Sequence, residues 1–213
     1  MVPARLLHSL PLGAAMLVLA AAPALARPFA VAADRHTPNE VTFTSKAPLV
    51  RMVGRTSQVS GIADINLDDL NKSTGRFEVP LGTLETGIQM RDGHMRDVLA
   101  TDQFPTAQFV IKKVSARTPK ATAGDAVDLD VDGTLTIRGV SKDLRVPASL
   151  VYYPEDQDVR GPGDWVMLST SFRIKLTDFQ VPLSPKTLGP KVANDVTIAI
   201  DAMARSGETK AAK

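Results

Sequence analysis

The 213-residue sequence contains no cysteine. That absence excludes disulfides, thiolate metal ligands, a cysteine nucleophile and a lipid-modified N-terminal cysteine. In an oxidising compartment the domain must therefore hold together by packing alone. Excess charge of one sign is also missing. The formal net charge is only +2, which by itself makes no electrostatic case for nucleic acid or an anionic bilayer as partner. Phosphate-cradling patterns (G-x-G-x-x-G and G-x-x-x-x-G-K-S/T) do not occur, nor does the G-x-S-x-G elbow of a serine hydrolase. There is no repeat at a period of 30 to 40 residues, and no EF-hand loop.

The N-terminus carries an address. Arg5 is the only Lys, Arg, Asp or Glu before Arg27, and an apolar run from Leu10 to Ala22 leads into Pro23-Ala24-Leu25-Ala26. A basic start, a short apolar stretch and a small-residue exit describe a secretory signal peptide. The run is shorter than the roughly 20 residues that span a bilayer. The expectation is cleavage after Ala26, removal of residues 1–26, and a protein with no integral membrane segment. Residues 27–39 read as a flexible leader, 40–204 as one domain, and 205–213 as a disordered tail.

Within the domain the dominant signal is alternation with period two, the mark of antiparallel strands with one dry and one wet face. Val127, Leu129 and Val131 alternate with Asp128, Asp130 and Asp132, and Leu135 and Ile137 continue beyond Gly133. The stretches around Phe77, Phe109, Phe172 and Ile198 repeat the pattern, with turn signals at Gly75, Gly87, Gly133 and Gly139. Many half-buried strands on short connections mean an all-β sandwich or closed barrel. One stretch reads as helix. Between Arg91 and Ala100, Met95, Val98 and Leu99 share a face, and Asp92 is placed to cap the helix by accepting from the amide of Met95. Such a helix suits a lid over a barrel end.

Catalytic signals are weak. Beyond the signal peptide only His36, in the leader, and His94 remain, too few for a zinc site without distant carboxylates. His94 is expected to pack or hydrogen-bond locally beside Asp92. The aspartates that alternate with valine and leucine belong to a solvated strand face. No cofactor, metal or catalytic residue is assigned.

Two motifs carry a resemblance. Thr86-Gly87 followed by Arg91-Asp92-Gly93-His94-Met95 and then Asp102-Gln103-Phe104-Pro105 is one; Gly133-Thr134-Leu135-Thr136-Ile137-Arg138-Gly139-Val140-Ser141-Lys142 is the other. With a weaker match at Thr177-Asp178-Phe179-Gln180-Val181, they resemble the YceI-like domain family over about Glu40 to Ala204. Val41 to Val53 departs from it, lacking the Asp-x-x-His-Ser opening common there. The resemblance implies a lipocalin-like antiparallel β-barrel with a short helix near one end. It also implies export to the periplasm and a polyisoprenoid or similar long-chain isoprenoid or acyl amphiphile as ligand.

A barrel of about eight strands is just wide enough to fill with side chains or to hold one small ligand. The interior-facing set expected to touch such a chain is Phe77, Val79, Phe109, Ile111, Leu135, Ile137, Phe172, Ile174 and Ile198. A polar head would be met by Arg91, Arg96 or Lys142 through charge-assisted bonds. The alternatives are a hydrolase or isomerase acting on the same amphiphile with His94 and Asp92 as acid and base, or a stress-related envelope or redox accessory protein binding an isoprenoid quinone. A homodimer is left open.

Overall fold

Alternating residues can bury one face of a strand only if the sheet closes or meets a second layer, and here it closes. The computed structural model describes residues 26–31, 39–157 and 162–207. Ten strand segments form one antiparallel sheet whose first segment, β1 (Arg27–Val31), pairs with both β4 (Ser60–Ile65) and β10 (Asp195–Ser206) and so completes the ring. The remaining segments are β2 (Glu40–Lys46), β3 (Arg51–Thr56), β5 (Thr74–Pro80), β6 (Thr106–Ala116), β7 (Ala126–Ile137), β8 (Val140–Tyr153) and β9 (Trp165–Lys175).

The ten segments make an eight-strand barrel. β1 and β2 run in the same direction along β10, β1 at Arg205 and Ser206 and β2 from Val196 to Asp201, so they are two halves of one interrupted staff. β3 and β4 are likewise the halves of one bent staff. At the break beside β1 and β2 the buried Asn39 turns its side-chain oxygen to accept a 2.8 Å bond from the amide of Met203. That donor would otherwise go without a strand partner.

Two expectations are corrected. Arg27–Val31 is not a flexible leader: Phe29 is fully buried and the segment pairs along its whole length with β4. Pairing supplies main-chain partners, and burial of a phenyl ring offsets the ordering entropy that would leave a polar leader loose. Arg205 and Ser206 are not tail either, because they lie in β10 and pair with Ala30 and Phe29. The proposed signal peptide through Leu25, residues 32–38 of the leader with His36, and 208–213 of the tail lie outside the described residues.

The clearest alternation behaves as its pattern demands. In β7, Val127, Leu129, Val131 and Leu135 are buried while Asp128 and Asp130 are exposed. Asp132 takes a two-pronged bond from Arg145 on β8, at 2.7 and 2.9 Å. Solvated ion pairs of this kind contribute at most about 1 kcal/mol, so the strand is held by its inner face.

The interior divides into two regions. Toward the end where β10 finishes, the base, Phe29, Val31, Val127, Val166 and Ala204 belong to a continuous buried cluster. At the other end, the mouth, the connections are the β2–β3 turn (47–50), the 81–105 segment, the tight β7–β8 turn at Arg138 and Gly139, and the long 176–194 segment. The 81–105 segment carries the helix α1 (Gln89–Leu99).

Candidate functional site

Above the base the barrel is hollow. A cavity of about 830 Å³ runs from Leu70, Ile65 and Leu129 at its floor to the mouth. Its wall is almost wholly aliphatic and aromatic. Of the nine side chains expected to face inward, Phe77, Val79, Phe109, Ile111, Leu135, Ile137, Ile174 and Ile198 line it. Phe172 does not; it packs against both buried clusters and takes part in the wall's solid core instead.

Backbone detail explains why so many large residues leave the lumen open. The Phe43 ring lies over Gly54, its cross-strand partner, and the Phe109 ring lies over Gly133. A Cβ at Gly54 would overlap the Phe43 ring, and one at Gly133 would overlap the Phe109 ring and stand 2.7 Å from the Val110 carbonyl oxygen. Each glycine provides a recess in which a phenyl ring lies flat along the wall. With any larger residue the ring would have to stand out into the lumen.

The mouth is built on the helix. Arg91, His94, Met95, Val98 and Leu99 line the cavity from one face of α1, and Val181 to Ser184, Thr187 and Lys191 line it from the 176–194 segment. What anchors α1 is a side-chain network around Thr86. The Asp92 carboxylate accepts from the Thr86 amide at 2.9 Å and from its hydroxyl at 2.5 Å, while Arg91 donates to the same hydroxyl oxygen at 2.7 Å and to the Thr86 carbonyl at 3.0 Å. Bonding to Thr86 holds the Asp92 carboxyl below the usual aspartate range, with Arg96 and Arg91 adding to the effect.

This corrects the expected cap. Asp92 does not accept from Met95: α1 begins at Gln89 after Ile88, with no side-chain cap. Its own amide is already used, donating to the Ile88 carbonyl. The carboxylate is instead buried and ties the preceding turn to the helix. The same arrangement separates Asp92 from His94. His94 is exposed and borders the cavity, whereas Asp92 is absent from the lining, so the two do not form an acid and base facing one substrate space.

Of the three expected head-group cations, only Arg91 borders the cavity, and its guanidinium is engaged with Thr86. Arg96 lies near Asp92 but off the lining, and Lys142 lies outside it in a small groove with Arg173, Lys175, Asp178 and Asp195. Sequence reasoning missed Lys191. It sits in a connection without periodicity, so neither spacing nor motif could have assigned it to the lumen. Among the described residues, no group of three or more histidines and carboxylates is arranged to hold a metal ion.

Comparison with known proteins agrees with this architecture. The YceI-like domain model matches residues 34–204. The chain belongs to the YceI-like domain family. Protein YceI of Escherichia coli O17:K52:H18 is 30% identical over 127 residues, 58% of this chain and 59% of that one. A UPF0312 protein of Vibrio vulnificus is 32% identical over 134 residues, 61% of this chain and 65% of that one. The chain thus spans about three-fifths of the length of these curated relatives. A polyisoprenoid binding domain from Saccharophagus degradans has the same fold, with a TM-score of 0.63 at 18% identity over 85% of this chain and 99% of that one. BcnA of Burkholderia cenocepacia is similar, with a TM-score of 0.62 at 19% identity over 78% of this chain and 95% of that one. Among the described residues no helix is long and apolar enough to cross a membrane.

Proposed function

We infer that this protein binds the apolar tail of a long-chain amphiphile, a polyisoprenoid or a similar acyl chain, inside the barrel, and keeps the amphiphile's head at the mouth. The observation that carries this reading is the 830 Å³ lumen with its apolar wall. A water-lined cavity of this size would be filled by solvent, but an apolar one gains by taking up hydrocarbon, at about 0.8 kcal/mol per methylene removed from water. At roughly 30 Å³ per water-sized group, the space suits on the order of five isoprene units. Relatives of the same fold include one named for polyisoprenoid binding, which supports the choice of ligand class.

The head would meet Lys191, His94 and the hydroxyls of Ser184 and Thr187, all of which line the cavity at its mouth. Lys191 brings a charge with no ion-pair partner among the described residues. The reading is a binding protein rather than an enzyme, exported by the signal peptide read from residues 1–26 and working in the periplasm. Organic extraction of the purified protein followed by mass spectrometry tests it. One stoichiometric long-chain lipid is the expected result. Failure of the delipidated protein to bind any fluorescent isoprenoid or acyl probe saturably would refute it. N-terminal analysis of the secreted form should find Arg27 first.

A further inference from the structure

The rim of the mouth carries large apolar side chains that nothing in the fold covers. Leu49, at the tip of the β2–β3 turn, is 72% exposed; Met90 and Ile88, at the start of α1, are 74% and 53% exposed. Backbone contacts tie the segments that carry these tips to their neighbours at the mouth. The amide of Arg55 donates to the Glu85 carbonyl and the amide of Glu85 to the Arg55 carbonyl, both at 2.9 Å, laying the segment before α1 beside β3. The Leu49 amide donates to the Pro190 carbonyl at 3.2 Å, joining the turn to the 176–194 segment.

The side of the rim formed by the β2–β3 turn and the 181–194 stretch is basic. Residues 46–55 and 181–194 contain Lys46, Arg51, Arg55, Lys186 and Lys191 and no carboxylate. None of these five cations forms an ion pair among the described residues. The carboxylates nearest them in the pairing are Glu85, opposite Arg55, and Asp195, beside the end of β2. The described base connections carry Asp68, Asp69, Asp125, Glu155, Asp156 and Asp164 against Lys72, Arg117 and Lys120, with Lys72 paired to Asp69 and Lys120 to Asp68. The 81–105 segment adds Glu85, Asp97 and Asp102 and the buried Asp92 against Arg91 and Arg96, so the basic character belongs to the β2–β3 and 181–194 side of the rim.

The geometry points to the mouth rim as a docking surface for an anionic phospholipid bilayer. Leu49, Ile88 and Met90 enter the boundary between headgroups and acyl chains, and the five cations face lipid phosphates. Exposed apolar tips ringed by cations are the combination that interfacial binding needs, because hydrophobic insertion and attraction to anionic lipid reinforce one another. The docked orientation turns the lumen toward the bilayer, so that an amphiphile can pass along Lys191 and α1 without crossing water.

Co-sedimentation of the full mature chain with vesicles containing roughly 30 mol% phosphatidylglycerol, and with phosphatidylcholine vesicles, tests this. The vesicles contain no isoprenoid, so the result is independent of what fills the lumen. Binding to the anionic vesicles is expected, falling steeply as salt rises. Leu49→Ser with Met90→Ser, and separately Lys46→Glu with Arg51→Glu and Lys186→Glu, should each weaken it about tenfold or more. All five positions are exposed, and unchanged thermal midpoints would show the variants folded. Absence of sedimentation, equal binding to both vesicle types, or full binding by either variant overturns the proposal. So does a wild-type dimer that ignores vesicles and is broken by Leu49→Ser with Met90→Ser, which would make the rim a self-interface.

Discussion

The base and the upper barrel are made from the same kind of sequence, alternating strands rich in valine, leucine, isoleucine and phenylalanine, yet one is solid and the other hollow. At the base, β1 adds Phe29 and Val31 to Val127, Val166 and Ala204, and none of these borders the cavity. Higher up, phenyl rings lie over glycines and the space they leave is lumen. Inward-facing apolar residues therefore specify a dry interior without specifying whether it is full. The filling depends on where small residues stand beneath large ones.

The largest expected effect separates the two regions directly. Phe29→Ala, in the solid base, should cost about 3–5 kcal/mol in chemical denaturation, the loss for a phenyl ring deleted from close packing. Phe109→Ala should cost the ligand-free protein roughly half as much, because the ring already has empty space on one side and leaves less new cavity. A similar cost at both sites would show that the upper barrel collapses around a solid core in solution.

The recesses sharpen the contrast. Gly133→Ala is expected to destabilise by about 1–3 kcal/mol, since the new methyl meets both the Phe109 ring and the Val110 carbonyl. At Gly54 the new methyl meets chiefly the Phe43 ring. Gly54→Ala should therefore be milder in stability but should push the ring inward and shift binding toward shorter-chain probes. Unchanged chain-length preference in titrations would show that Phe43 does not bound the ligand's space.

At the mouth, Asp92→Asn should cost about 1–3 kcal/mol, because the part-buried Thr86 amide and hydroxyl lose their charged acceptor. The pH response has a definite sign. Bonding to Thr86 holds the folded carboxyl below its ordinary value of 3.8, so its contribution is fully present above that pH and is lost as pH falls through the lower folded value. Acid denaturation should show a shallower loss of stability in that window for Asp92→Asn than for wild type. Lys191→Ala, with the smallest structural effect, should change stability by less than about 0.5 kcal/mol. It should weaken probes with an anionic head more than neutral ones of equal tail length, a difference readable by fluorescence titration.

How much of this was legible depended on whether the signal was local. Period-two alternation announces which face of β7 is dry, because side-chain direction along a strand is a property of the strand itself. Met95, Val98 and Leu99 announced the inner face of α1 for the same reason, with a period near 3.6 in place of 2. Asp92 misled because a carboxylate in the first turn of a helix normally caps it, whereas here the helix starts two residues earlier than its apolar face suggests and Thr86 captures the carboxylate. Phe172 misled differently: its parity is inward, but parity cannot tell which inward residues border a void.

Periodicity and turn residues by themselves determined an all-β domain, sandwich or closed barrel, with one short helix, and two contiguous motifs carried the family resemblance that implied the antiparallel barrel. Only the tertiary structure decided that Arg27–Val31 is a wall strand, because a five-residue segment carries too little pattern until β4 and β10 present edges to it. Tertiary structure also decided that the barrel is hollow and that Lys191 lines it near the mouth. Those facts rest on contacts between residues from eleven to more than a hundred positions apart, such as Gly54 with Phe43 and the 176–194 segment with the β2–β3 turn. Side-chain volume and net charge are sums over the chain, whereas a void and a basic rim are made by how those volumes and charges are arranged in space.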